Sequence, residues 1–248
     1  NGEISNLLDR LTTPAAFTFH NTTDISEHIE YYRTHEFLYQ HTMIFVSDNQ
    51  RSRVPFFPNT KVIYNGLPIA DFPFEEHKEN YLLFLGRIAK VKGVLEAIET
   101  AKKTGIPLVL AAKVDSSNQE FFNREVFPLI DGSFIRYVGE VDFSHKVELL
   151  KKAHCLLFPI LWEEPFGLVM VEALACGTPV VAFRRGSVPE IIRDGITGYA
   201  VENVDEMVNA VKSVRQISSA ACRRDAEDRF SSERMVREYE HVFLETID

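Results

Sequence analysis

The chain has 248 residues, 45% of them hydrophobic and 25% charged, which argues against disorder and predicts one large domain or two modest ones at about 150 residues each. Lys and Arg total 27 against 36 Asp and Glu, a net charge of −9; with no basic run, nucleic acid is not an expected partner. The longest nearly unbroken apolar stretch, 155–162, falls far short of the ~20 residues of a membrane span. Cys155, Cys176 and Cys222 form no C-x-x-C pair, which argues against a disulfide scaffold or a cysteine zinc site and points to a reducing, cytoplasmic compartment. The opening at Asn1, with neither an initiator Met nor a signal-peptide pattern, reads as that of a fragment.

In chain order, strand-like apolar runs fall at 15–19, 43–46, 61–64, 81–85, 108–112, 134–138, 155–159, 180–183 and, more weakly, 198–201. Several are apolar on consecutive residues, as strands covered on both faces of a parallel sheet are. Between them lie helical patterns. Val94, Ala97, Ile98 and Ala101 repeat at i, i+3, i+4 and i+7, predicting a helix over 93–104 that Gly105 and Pro107 close. Further helices are expected at 118–127, 144–153, 168–175, 188–193, 204–228 with a break, and 231–246. This alternation predicts right-handed crossovers and a doubly wound α/β sheet. The turn-rich stretch 65–80 reads as a boundary, with about three strands before it and about six after.

Two loops carry candidate chemistry. The first, Gly86-Arg87 through Lys92-Gly93, leaves a buried strand and enters a helix, where open α/β sheets bind ligands. It matches neither G-x-G-x-x-G nor the P-loop pattern. It offers two cations, Arg87 for bidentate contact with phosphate and Lys92 as a point charge; taken alone, it reads rather as a solvated basic loop. The second, Trp162-Glu163-Glu164-Pro165-Phe166-Gly167-Leu168, follows the strand at 155–159. With Pro165 in a first helical turn, the amides of Phe166, Gly167 and Leu168 form an anion site. Glu164 and Glu172, eight residues apart, would span ~12 Å if the whole segment were helical, about the reach from a sugar hydroxyl to a ribose hydroxyl across two phosphates. Glu172 lies among Val169, Val171, Ala173 and Ala175, so its carboxylate needs a partner.

These residues together resemble the family 4 retaining glycosyltransferases. The resemblance runs through Gly86-Arg87, Lys92-Gly93, Val138-Gly139-Glu140-Val141, the Glu164–Glu172 pair, Ala175-Cys176-Gly177-Thr178-Pro179, Gly186-Ser187-Val188-Pro189-Glu190 and Asp194-Gly195-Ile196-Thr197-Gly198. It implies a GT-B fold: a partial N-terminal, acceptor-side Rossmann-like domain over 1–76, a complete C-terminal Rossmann-like domain with a doubly wound parallel sheet over 77–228, and a terminal helix, 229–248, crossing back to the first. The roles it implies are donor diphosphate binding for Arg87 and Lys92, sugar hydroxyls for Glu164, backbone contacts from Gly86, Phe166, Gly167 and Leu168, and the ribose for Glu172. The loop 139–146, with Val141, would lie by the nucleobase, and His20 would line the sugar side; His20 reads equally as a histidine ending a buried strand.

The activity so implied is transfer of a hexose from a UDP- or GDP-sugar to a saccharide, lipid-linked or small-molecule acceptor with retention of configuration. No cofactor and no metal are expected; no D-x-D, H-E-x-x-H or G-x-S-x-G occurs, and peripheral membrane contact stays open. Two alternatives stand beside it: another GT-B enzyme, an epimerase or phosphorylase, and a truncated, non-catalytic nucleotide-sugar-binding domain.

Overall fold

The computed structural model describes residues 13–21, 33 and 36–247. Nine strands among them form two parallel sheets. In the smaller sheet β1 (Ala16–Phe19), β2 (Thr42–Phe45) and β3 (Thr60–Val62) lie in the order β1-β2-β3. The larger contains β4 (Leu82–Arg87), β5 (Leu108–Lys113), β6 (Ile135–Gly139), β7 (Cys155–Phe158), β8 (Val180–Phe183) and β9 (Gly198–Val201) in the order β6-β5-β4-β7-β8-β9. The chain runs outward from β4 to one edge, then returns to begin again at β7. This is the doubly wound Rossmann-like order, and its switch point lies between β4 and β7.

Among the described residues, the α-helical segments that pack around the sheets include α1 (Asp48–Ser52), α2 (Val94–Thr104), α3 (Gln119–Phe121), α4 (Phe143–Lys152), α5 (Leu168–Ala175), α6 (Val188–Ile191), α7 (Val204–Ser213), α8 (Ser219–Phe230) and α9 (Ser232–Ile247). The expected apolar stripe of α2 is buried at Val94, Ala97, Ile98 and Ala101, and the Gly105 amide returns to the Ala101 carbonyl. β7 and β8 are buried at every residue, because helices cover both faces of the sheet.

Some elements depart from expectation. The helix expected at 118–127 is α-helical only over Gln119–Phe121; it widens into a π turn, Phe122–Val126, and tightens again over Phe127–Leu129, with Pro128 in that last turn. The helix at 188–193 stops at Ile191. α1 lay hidden between two strand runs, for it is five residues long and carries no apolar period; Ser47 caps it by accepting from the Gln50 amide.

The chain crosses back through α9, whose Met235, Tyr239 and Val242 pack on Ile44 of β2 and on Ile63, the residue after β3. Leu67 and Phe230 hold the junction: the Leu67 amide donates to the Phe230 carbonyl at 2.8 Å, and the Ser232 amide to the Leu67 carbonyl at 2.8 Å. Gly66 lies against this crossing so closely that a Cβ there would come within 2.6 Å of the Ser231 carbonyl oxygen. No helix among the described residues is long and apolar enough to cross a membrane.

Candidate functional site

The loops leaving β4 and β7 meet at the switch point. The Leu161 amide donates to the Val91 carbonyl at 2.8 Å, and a Cβ on Gly93 would lie 1.8 Å from the Pro159 carbonyl oxygen. Gly93 also adopts φ 73° where the short turn Lys90–Lys92 passes into α2. Positive φ and contact with neighbouring backbone both demand glycine here. The result is that Lys92 is carried directly against the second loop.

Its ammonium reaches Glu164 Oε2 at 2.5 Å, with the two side chains only 17% and 14% exposed. Trp162 Nε1 donates to the same carboxylate oxygen at 3.0 Å, and the Lys92 ammonium stands 4.8 Å from the Trp162 ring centroid, close enough for a cation–π contact. The second loop is held from below by Gly186 and Ser187. The Ser187 amide donates to the Glu164 carbonyl at 3.0 Å, and Ser187 Oγ donates to the Phe166 carbonyl at 2.7 Å. Gly186, at φ 55°, has no room for a side chain: its Cβ would lie 2.4 Å from the Glu164 amide nitrogen.

Helix α5 begins at Leu168 after Gly167 in the left-handed conformation, φ 77°. Pro165 is therefore not in the first helical turn. Glu164 and Glu172 do not share one helix, so the ~12 Å rise expected of an unbroken helix does not apply. The helix itself keeps the bounds expected of it, 168–175, while Ser187 holds the preceding loop, with Pro165, in an irregular path. The amides of Leu168 and Val169 still open the helix without an intrahelical carbonyl partner. Glu172 finds the partner its setting requires in Lys146 of α4, at 2.6 Å, and is itself 14% exposed. Arg87 ends β4 and is 60% exposed, with Asp115 at 3.4 Å.

Two adjoining cavities contain these groups. One of about 360 Å³ is lined by His20, Gly86, Lys92, Glu164, Phe166, Gly167 and Leu168, with Val46 and Asn65 across the opening. The other, about 420 Å³, is lined by Arg87, Lys113, Val141, Lys146 and Glu172. Leu85, Gly86 and Val169 border both, making one cleft of a size suited to a small-molecule ligand. All ten residues expected at the site border it. His20 is exposed just beyond β1, facing Lys92 and Glu164 from the smaller sheet's side.

Trp162, Lys146 and the Gly186-Ser187 pair had no role in the residue-level reading. Trp162 and Ser187 carried a signal only as motif members and Lys146 only as the end of the loop 139–146; nothing local pairs Lys146 with Glu172, 26 residues away. Cys176 and Cys222 are no candidates for nucleophiles: burial pushes both thiols up to about 12, far from a thiolate at neutral pH. Among the described residues no cluster of three His, Cys, Asp or Glu side chains could hold a metal ion.

The family model for glycosyl transferases group 1 matches residues 69–229, which contains both loops and the whole six-stranded sheet. A glycogen synthase of Mycobacterium tuberculosis is 32% identical over 172 residues, covering 66% of this chain and 41% of the relative. The crystal structure of AviGT4, a glycosyltransferase involved in avilamycin A biosynthesis, superposes with a TM-score of 0.72 at 26% identity over 83% of this chain and 64% of that one. Anabaena HepE, solved in complex with UDP-glucose, shares the fold, with a TM-score of 0.79 at 17% identity over 98% of this chain and 75% of that one. The chain spans less than half the length of its curated relatives such as the glycogen synthase. By its two-sheet architecture and by the match over residues 69–229, this chain belongs to the glycosyl transferases group 1 family, with a GT-B fold.

Proposed function

We propose that this chain binds a nucleoside-diphosphate sugar in the cleft at the β4–β7 switch point and serves transfer of the hexose to an acceptor hydroxyl with retention of configuration. One observation carries the reading: Lys92, Glu164, the start of α5, Arg87 and Glu172 border one continuous cleft instead of scattering over the surface. The diphosphate would lie across the first-turn amides of α5, where backbone donors and the helix dipole favour an anion. Lys92 and Arg87 add two full positive charges. Glu172 would then accept from the ribose hydroxyls, with the base against the walls at Val141 and Lys113, which line the same cavity.

The Lys92–Glu164 ion pair gives the cleft its charge logic. Each member has the other as partner, so neither carries an unpaired charge in a half-buried site. A diphosphate brings more than one negative charge and outcompetes a single carboxylate for Lys92. Glu164 then keeps the Trp162 N–H and gains the donor's sugar hydroxyls as hydrogen-bond donors. As the glycosidic bond breaks, charge grows on the leaving diphosphate, and preset donors are worth most there; losing one of this kind typically slows a reaction roughly 10²–10³-fold. With acceptor and leaving group on the same face, a leaving phosphate oxygen takes the acceptor hydroxyl's proton, so no protein nucleophile is needed.

The test is a thermal-shift screen against UDP-, GDP- and ADP-sugars, because a ligand that binds only the folded state raises Tm by mass action. One base class should stabilise the parent and fail to stabilise Lys92→Ala. No shift with any of them, at millimolar concentration, would overturn the reading. Binding without transfer to any saccharide acceptor would instead support the non-catalytic alternative.

A further inference from the structure

Glu190 lines neither cavity, yet its carboxylate holds three groups from the smaller sheet's loops. The Asp48 amide donates to Oε2 at 2.8 Å and the Asn49 amide to Oε1 at 2.7 Å, a carboxylate set against the start of α1. The Tyr64 hydroxyl donates to Oε2 at 3.1 Å. Asp48 and Asn49 follow β2, and Tyr64 follows β3. Val46 and Asn65, in those same two loops, form the wall of the cleft opposite Lys92 and Glu164. The β2 loop is internally braced, since the Val46 amide donates to Gln50 Oε1 at 2.9 Å and the Gln50 amide to Ser47 Oγ at 3.1 Å. A grip on residues 48 and 49 is therefore a grip on Val46.

The anchor itself is firm. Arg229 donates to the carbonyls of Glu190 and Ile191, and its guanidinium is held by the buried Asp225 carboxylate at 2.8 Å. A second bridge runs parallel to the first: Arg53 Nη2 meets Glu163 Oε2 at 2.9 Å, one residue from Glu164, and that same carboxylate accepts from the Gly186 amide at 2.8 Å. Burial, and then the neighbouring Glu190 carboxylate, push the Tyr64 hydroxyl up to about 12, so it stays a donor across the working pH range.

We infer that Glu190 is a positioning residue that sets the width of the donor cleft by gripping the β2 and β3 loops from the six-stranded side. The inference rests on the donor-cleft reading for its consequence, not for its geometry. Reaction rates respond to errors of about 1 Å in placement by as much as roughly 10²-fold, so a cleft wall free to drift lowers turnover without a direct contact being lost. A charged carboxylate suits the task better than an amide. It accepts from all three groups, whereas the nitrogen of Gln would face a backbone N–H or the Tyr64 hydroxyl without bonding to the former.

The test uses the full chain with spin labels at Asn59→Cys and Lys212→Cys, both exposed and on opposite sides of the cleft, while the three native cysteines are buried. The distance distribution should be narrow with Glu190 and broader and longer with Glu190→Gln. Tyr64→Phe, which removes one of the three bonds and little packing, should shift it the same way by less, and it serves should Glu190→Gln fail to fold. UDP-glucose hydrolysis is measured alongside, with Lys92→Ala as control: Glu190→Gln should lower kcat by roughly tenfold or more and leave the Kd for UDP near the parent value. Distributions that match the parent in both variants overturn the inference, as does a parent-like kcat with a widened cleft. A parent rate no greater than that of Lys92→Ala with UDP-glucose, and equally with the GDP- and ADP-sugars of the thermal-shift screen, counts against the donor-cleft reading alone, and the distances still decide the grip.

Discussion

Lys92 and Glu164 show how little of a site's energetics a local motif conveys. Each was recognisable within its own loop, Lys92 as a cation in a glycine-flanked turn and Glu164 as a carboxylate beside Pro165. Their contact at 2.5 Å joins residues 72 apart in the chain and follows from the meeting of β4 and β7. It leads to opposed expectations for two substitutions. Lys92→Ala should lower kcat/KM for the donor by roughly 10²–10³ with a small change in Tm, read by steady-state kinetics and thermal unfolding. Glu164→Gln frees the Lys92 ammonium from its carboxylate, so the bare nucleoside diphosphate should bind more tightly, by up to roughly tenfold, while transfer of the sugar slows. Calorimetry showing weaker diphosphate binding in Glu164→Gln would refute the competition. The partner needed by Glu172 was foreseeable from its apolar neighbours; its identity as Lys146 was not. Glu172→Gln should raise the donor KM more than it lowers kcat.

Among the elements, the crossovers and strands were legible because each is written in a local period: β7 in consecutive apolar residues, α2 in the stripe Val94, Ala97, Ile98, Ala101. The bounds of α5, 168–175, were legible in its apolar run; Pro165 was assigned to its first turn because a first-turn proline is a local rule, whereas the hydrogen bonds from Ser187 to the Glu164 and Phe166 carbonyls are not local. Lys78 is a further long-range device, donating to the Lys151 carbonyl at 2.8 Å and to Thr178 Oγ1 at 3.0 Å. It thereby ties the ends of α4 and α5, the helices that carry Lys146 and Glu172. Gly93 offers the sharpest test at this level. Gly93→Ala places a Cβ against the Pro159 carbonyl at a positive φ, and should destabilise by more than about 2 kcal/mol, with donor binding lost in the fraction that still folds. Urea unfolding that matches the parent would mean the two loops do not meet as described.

The assembled chain turns on Phe230. It is fully buried, and its ring lies 5.9 Å from both Tyr64, which follows the smaller sheet, and Phe166, in the donor loop. Phe230→Ala should cost about 3–5 kcal/mol and loosen both sheets together, visible as one cooperative loss in denaturant unfolding; two separate transitions with only one displaced would contradict that. A pH dependence also belongs here. Burial holds His154 below the ordinary histidine range, with a hydrogen bond to the Val211 backbone only partly offsetting it. Above the unfolded value of about 6.5 neither state is protonated and the full stability is present. As pH falls below it, the unfolded chain takes up a proton that the folded chain resists, so stability declines. His154→Gln should flatten the fall between pH 7.5 and 5.5 in urea unfolding; an equal slope would remove His154 as its source.

Local order along the chain was enough to specify the alternation of strands and helices, the parallel sheet they build, and the two loops at its carboxyl edge. Those features depend on residues a few positions apart, where burial on one face or two leaves a readable period. The charge pairs Lys92–Glu164 and Lys146–Glu172 and the hold of Glu190 on the β2 and β3 loops come from groups 26 to 142 residues apart. A buried carboxylate demands a partner wherever the fold can supply one, and only the packing of helices against both sheets determines which side chain arrives.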